Sequence, residues 1–238
     1  MSVRRLTSEF IGTFAIVYCG VGAVALTSSG LMSGGLIAIA FGHGFAVMVM
    51  IYALGAVSGA HFNPAVTLAF WLTKRFALSS AALYILAQLA GSVAATALLA
   101  LTHGNPLETV NFGATLLAPK VSPLAGLAIE TVLTFFLALV IWRVAVLEES
   151  PLAGVLIGLT VMMAISAAGP LTGVALNPAR AFGPALLAGD WRNHWVMWAG
   201  PVLGAALGAF AAQWLQPKPE HLETVATELP NPRKDVRV

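Results

Sequence analysis

Two stretches decide the fold: Ser58-Gly59-Ala60-His61-Phe62-Asn63-Pro64-Ala65 and Thr172-Gly173-Val174-Ala175-Leu176-Asn177-Pro178-Ala179-Arg180. Both carry Asn-Pro-Ala, followed in the second by Arg180, and the two asparagines stand 114 positions apart (177 − 63). Asn is a favoured N-cap, and Pro suits the first helical turn, where its missing N–H had no partner. Each motif therefore predicts a helix start. The apolar runs that follow, 65–72 and 181–187, are too short to cross a membrane: at about 1.5 Å per residue they span near half of a ~30 Å hydrocarbon core. Backbone broken at that depth survives only when buried in protein or lining a watery cavity. A pore is the reading that accounts for the expense.

Outward from the motifs, the composition supports a membrane setting. Hydrophobic residues make up 58% of the chain and charged residues 9%, whereas a soluble domain carries roughly 25% charged residues. The chain has too few charges to cover itself with a polar surface, and is expected to be an all-α integral membrane protein. Its net charge of +2 points to no nucleic-acid partner. The single Cys19 excludes an internal disulfide and reads as a small buried apolar side chain. Six full spans are predicted, at 6–27, 34–55, 79–101, 124–147, 152–169 and 194–214, each near the ~20 residues that crossing requires. No cleavable leader stands out before the first. From 217 to 238 the composition turns polar and Pro-rich, which predicts a disordered cytoplasmic tail after a channel domain of residues 1–216.

With the amino terminus inside, Arg4, Arg5, Lys74, Arg75, Arg143, Lys218, Arg233, Lys234 and Arg237 fall on the cytoplasmic side, and only Lys120 and Arg192 outside. That imbalance sets both termini in the cytoplasm. The halves also repeat, over about 6–101 and 124–214. Glu9-x-x-x-Thr13-Phe14 recurs as Glu130-x-x-x-Thr134-Phe135, and Gly44-x-x-Val47-Met48 as Gly158-x-x-Val161-Met162. A three-span unit that begins inside must end outside, so the second copy is inverted. The two half-helices then enter from opposite faces and their amino termini meet near the midplane. Both ends are positive, by roughly half a charge each. Asn63 and Asn177 become amide donors at the meeting point. A water accepting from both must turn its hydrogens away, which interrupts a proton wire, and the positive potential repels cations. Arg180 is costly in a membrane unless it faces water or a partner, and no acid stands near it in sequence.

Paired Asn-Pro-Ala motifs in inverted halves, Ser-Gly-Ala-His-Phe-Asn-Pro-Ala-Val-Thr, Asn-Pro-Ala-Arg and the Glu-x-x-x-Thr-Phe repeats together resemble the aquaporin, or major intrinsic protein, family over about 6–214. The resemblance implies six spans plus two re-entrant half-helices, an hourglass channel in each subunit and a homotetramer. It implies pore motifs at Asn63, Pro64, Ala65, Asn177, Pro178 and Ala179. It implies pore-lining carbonyls at Gly59, Ala60, His61, Phe62, Gly173, Val174, Ala175 and Leu176, on extended backbone fixed by Glu9 and Glu130. Arg180 takes the outer constriction, and counting from the motifs completes a selectivity filter of His43, Ile165 and Val174. A gap in span two would instead leave His43 a core residue between Gly42 and Gly44. The His-Ile pair is similar to plant vacuolar-membrane aquaporins and would fit a bacterial member with a filter wider and less strictly water-selective than usual, lodged in a cell inner membrane.

The expected function is a passive channel for water and small neutral solutes such as ammonia, urea or glycerol, excluding protons and ions. A glycerol facilitator is the first alternative; Ala181, standing directly after Arg180, and the lack of a second filter aromatic speak against it. A proton-coupled transporter is the second, and would need a titratable group on the path, for which only His43 is available. No metal-spaced cluster, cofactor motif or nucleophile–base pair suggests an enzyme.

Overall fold

The computed structural model describes residues 1–216; the tail read from 217 onward lies outside the described residues. The chain folds into α1 (Val3–Ser28), α2 (Gly35–Ser58), α3 (Pro64–Leu72), α4 (Leu78–His103), a single turn α5 (Asn105–Glu108), α6 (Pro123–Ile141) continued by a π-helical turn at Trp142–Leu147, α7 (Ala153–Thr172), α8 (Pro178–Ala188) and α9 (Val196–Trp214). No strand forms among the described residues. Six helices, α6 counted with its π turn, are long and apolar enough to cross a membrane. An even number of crossings puts both described ends of the channel body on one face, here the terminal face. The 104–122 loop lies on the opposite, far face.

Spans two and five run beyond their predicted ends, to Ser58 and Thr172. Gly59 (φ 86°) and Gly173 (φ 76°) then stop them in the left-handed conformation that glycine adopts without steric cost. Only residues 59–63 and 173–177 are left to join each long helix to its half-helix. Asn63 and Asn177 cap α3 and α8 as the motifs predict. The Asn63 Oδ1 accepts from the Ala65 N–H at 2.8 Å, and the Asn177 Oδ1 from the N–H groups of Ala179 and Arg180 at 3.0 and 3.3 Å.

The halves pack as inverted copies. The α1–α2 and α1–α4 contacts of the first recur as α6–α7 and α6–α9 in the second; between the halves, α4–α8 is matched by α9–α3, and α2 crosses α7, its own counterpart. At that crossing Gly44 faces Met162 and Gly158 faces Met48, and a Cβ on either glycine would press on the other's carbonyl oxygen. Gly91 of α4 lies against the Phe10 carbonyl of α1, and Gly204 of α9 against the Thr131 carbonyl of α6, with no room for a side chain at either. Small residues are what let membrane helices approach this closely. The outer surface is a belt of exposed Leu, Ile, Val and Phe, as a lipid-facing surface requires. Cys19, expected in the core, is exposed on α1: the buried face of that helix is taken by Glu9, Gly12, Thr13, Ile16, Val17, Gly20 and Val21.

Candidate functional site

Two buried carboxylates shape the loops before the motifs. Glu9 is fully buried. Its Oε1 accepts from the Ser58 hydroxyl (2.7 Å) and the His61 N–H (3.1 Å), and its Oε2 from the Phe62 N–H (2.7 Å) and the Gln88 side-chain amide (2.7 Å). Glu130 does the same in the second half: its Oε1 accepts from the Thr172 hydroxyl (2.6 Å) and the Ala175 N–H (3.0 Å), its Oε2 from the Leu176 N–H (3.0 Å). Consecutive N–H groups of an extended strand point to opposite sides, so an extended loop could not bring both to one carboxylate. The loops are accordingly not extended throughout. Ala60, Phe62, Val174 and Leu176 all have φ between 46° and 53°. Alternating the hand of the backbone turns successive N–H groups into one concave nest around an anion. A left-handed non-glycine residue costs about 1–2 kcal/mol, which hydrogen bonds to a charged group, at about 1.5–3 kcal/mol each, offset.

The asparagines tie the two loops together. Asn63 Nδ2 donates to the Leu176 carbonyl (2.9 Å), and Asn177 Nδ2 donates to the Phe62 carbonyl (2.8 Å). Each half's cap thus holds the other half's loop. The Phe62 carbonyl also accepts from the Thr13 hydroxyl at 3.2 Å. Each carboxamide nitrogen carries two hydrogens, so one N–H per asparagine is left over. Both asparagines stand at the positive ends of α3 and α8 and border the same space.

That space is a cavity of about 450 Å³ running along the junction of the halves. His43, Ile165, Val174 and Arg180 all line it, as do Asn63, Asn177 and every loop residue predicted for the wall except Gly173, which packs on Thr115 instead. Pro64, Ala65, Pro178 and Ala179 are buried behind it in the first turns of the half-helices. A shift of 114 positions carries the quartet His43, Ile165, Val174, Arg180 onto Ile157, Ile51, Ala60 and Val66, and these four line the same cavity toward the terminal face.

Arg180 is 4% exposed and has no carboxylate at ion-pair distance among the described residues. Its Nη1 donates to the Gly113 carbonyl of the far-face loop at 2.9 Å, and its Nε is buried without a partner. The loop is pinned in turn: Asn111 donates to Asp190 (3.0 Å), which also accepts from Arg192 (2.7 Å). The Arg192 guanidinium pushes the Asp190 carboxyl down to about 2. Beside it, partial burial pushes His194 below the usual imidazole range, and His194 Nε2 accepts from the Trp198 indole N–H at 3.2 Å.

His43 donates from Nδ1 to the Ile39 carbonyl (3.0 Å), and its Nε2 is buried and unpartnered. The His61 ring stacks on Phe70 at 4.3 Å, and its Nδ1 lies 3.2 Å from the Thr67 hydroxyl. That hydroxyl already donates to the Asn63 carbonyl and accepts from Gln88, so the proton of the pair sits on His61 Nδ1. Ser58, Thr172, Gln88 and Tyr84 (whose hydroxyl donates to the Ser58 carbonyl at 2.9 Å) were given no site role from the sequence. The paired hydroxyls at 58 and 172, again 114 apart, are the signal that would have found the first two.

Residues 1–212 match the family model for the major intrinsic protein. The chain is 41% identical over 211 residues to Aquaporin NIP1-1 of Zea mays, covering 88% of this chain and 73% of that one. It is 40% identical over 238 residues to Aquaporin AqpM of Methanothermobacter thermautotrophicus, covering 89% and 97%. Among solved structures it is similar to the aquaglyceroporin from Plasmodium falciparum, with a TM-score of 0.78, 27% identity and coverage of 89% and 94%. Inverted halves, paired loops clasped by buried glutamates and sequence relatives across plants and archaea agree: the chain belongs to the major intrinsic protein family, that of the aquaporins.

Proposed function

We propose that this membrane channel passes water and small uncharged solutes along the cavity and refuses protons and ions. The observation that carries the reading is the pair of leftover N–H groups on Asn63 and Asn177, each carboxamide having spent its other hydrogen on the opposite loop. A water at the midplane accepts from both, so its own hydrogens turn outward and it cannot accept from its neighbours in the file. The hydrogen-bonded wire is broken there, and the positive helix ends raise the energy of any cation. Toward the far face, His43, Ile165, Val174 and Arg180 act as the selectivity filter, with Arg180 as donor and positive barrier. The carbonyls of Gly59, Ala60, His61, Val174 and Ala175 replace hydration on one wall; Gly173, packed on Thr115, does not reach it. Those of Phe62 and Leu176 serve the clasp first.

The Lys/Arg bias puts the terminal face in the cytoplasm, and the apolar belt suits a homotetramer within a cell membrane. Swelling of proteoliposomes after an osmotic jump tests the channel: the expected rate far exceeds that of empty vesicles, and an equal rate with protein correctly inserted sinks the reading. A glycerol-conducting channel is the second reading, favoured by the largely apolar cavity wall and by the likeness to an aquaglyceroporin. Ala181 following Arg180 opposes it. Uptake of labelled glycerol as fast as water decides for it.

A further inference from the structure

Gly20 lies in the middle of α1, buried, far from either helix end. A glycine there costs about 1 kcal/mol relative to alanine, so its presence needs a packing reason. The reason is His43. A Cβ on Gly20 would overlap the Cδ2 and Nε2 atoms of the imidazole. The ring's polar edge is thus tucked against the bare backbone of α1, which is why Nε2 is buried and unpartnered although the residue lines the cavity. The inverted half supports the reading. The counterparts of Gly20 and His43, by the same offsets that relate Glu9 to Glu130 and Gly44 to Gly158, are Ile141 and Ile157, and both line the cavity. Where no ring has to be housed, that position on the helix carries a full side chain.

We infer that Gly20 is a positioning residue for selectivity: the missing side chain is the recess that holds the edge of His43 out of the conduit and sets the bore of the far-face ring. With a methyl group in the recess, the ring must turn toward its open side, the cavity. Its hold on the Ile39 carbonyl pivots the ring at Nδ1 rather than releasing it. The ring then narrows the passage and presents Nε2 to whatever passes. The inference rests on the channel reading of the same site.

The test compares wild type with Gly20→Ala, His43→Ala and the double variant in proteoliposomes, for water, urea and glycerol. Gly20→Ala lowers the flux per channel of each solute the wild type passes, most for the largest, where a methyl-sized change in a tight pocket is worth about tenfold. The double variant returns flux to the His43→Ala level. Gly22→Ala serves as control on the same helix, because its Cβ would meet His103 and Leu99 at an ordinary 3.5 Å. Thermal unfolding in detergent tests the contact without any flux: alanine at 20 lowers the midpoint when His43 is present and not when it is absent. Unchanged flux in Gly20→Ala, no rescue in the double variant, or loss of both proteins from the membrane overturns the inference. A wild type no faster than empty vesicles sinks the channel reading instead, and leaves the unfolding cycle to report on the contact.

Discussion

The far-face ring and its inverted image on the terminal face share a backbone plan and almost no chemistry. His43, Ile165, Val174 and Arg180 make one, and Ile157, Ile51, Ala60 and Val66 the other. Behind the walls the polarity is reversed. The first half, whose ring is apolar, backs its loop with His61, Thr67, Tyr84 and Gln88. The second half has Ala175, Ala181, Met197 and Pro201 at the matching positions, and the first three form a small apolar cluster. The elements kept in both halves are those that build the crossing: the glutamate, the hydroxyl at its side, the left-handed loop, the asparagine cap and the glycines at helix contacts. The elements that differ are those a passing molecule, or the packing behind one loop, would feel. Duplication preserves the scaffold, and the chemistry of the cavity wall changes where the copies diverge.

The largest effect that would break this comparison is at the carboxylates. Glu9→Leu strands four buried donors and Glu130→Leu three, at about 1–3 kcal/mol each. Neither variant is expected to give monodisperse protein, and the milder Glu→Gln changes should lower the midpoint more at 9 than at 130. Equal losses would mean Gln88 contributes nothing. Next, Arg180→Ala removes the polar side of the far-face ring. Urea and glycerol permeability should rise by about tenfold, while Val66→Ala, its image in the other ring, should leave the solute ratios as they are. Matching changes in the two variants would dissolve the distinction between the rings.

Smaller effects sharpen it. Tyr84→Phe removes one bond to the Ser58 carbonyl and should cost about 1 kcal/mol in unfolding stability. Met197→Leu, its counterpart, conserves volume and should cost less than about 1.5 kcal/mol. The weakest is a pH effect confined to the far face. Burial lowers the His194 pKa, so the fold favours the neutral ring that accepts from Trp198. Its contribution is present above about pH 6.5, the usual imidazole value, and is lost as pH falls below it. The unfolding midpoint should drop between pH 7.5 and 5.5 and drop less in His194→Gln. The Asp190 pKa is depressed as well, so its contribution is present above about pH 4 and is lost as pH falls from there toward about 2.

Much of the fold was legible because hydropathy and caps are local. Six spans came within a few residues of the observed helices, and the two asparagine caps fell where the Asn-Pro-Ala motifs put them. The hand of the loops was not legible. Val174, Leu176 and Phe62 are residues that local rules place in strands, and only the carboxylate beneath them, more than forty residues away, turns them left-handed. The same distance hides Gly20: nothing around position 20 tells that an imidazole from α2 lies over it. The far-face loop, without hydrophobic period, gave no sign that the Gly113 carbonyl would hold Arg180.

The reciprocal asparagine bonds carry a consequence for biogenesis. The first half leaves the ribosome with a carboxamide that has no carbonyl to meet and a Phe62 carbonyl that awaits an amide more than a hundred residues downstream. Neither loop can close over its partner until the final re-entrant segment has been inserted upside down beside the first. The junction of the two loops is therefore the last part of the molecule to form, and a chain truncated before Asn177 leaves the Phe62 carbonyl and the Asn63 amide without their partners.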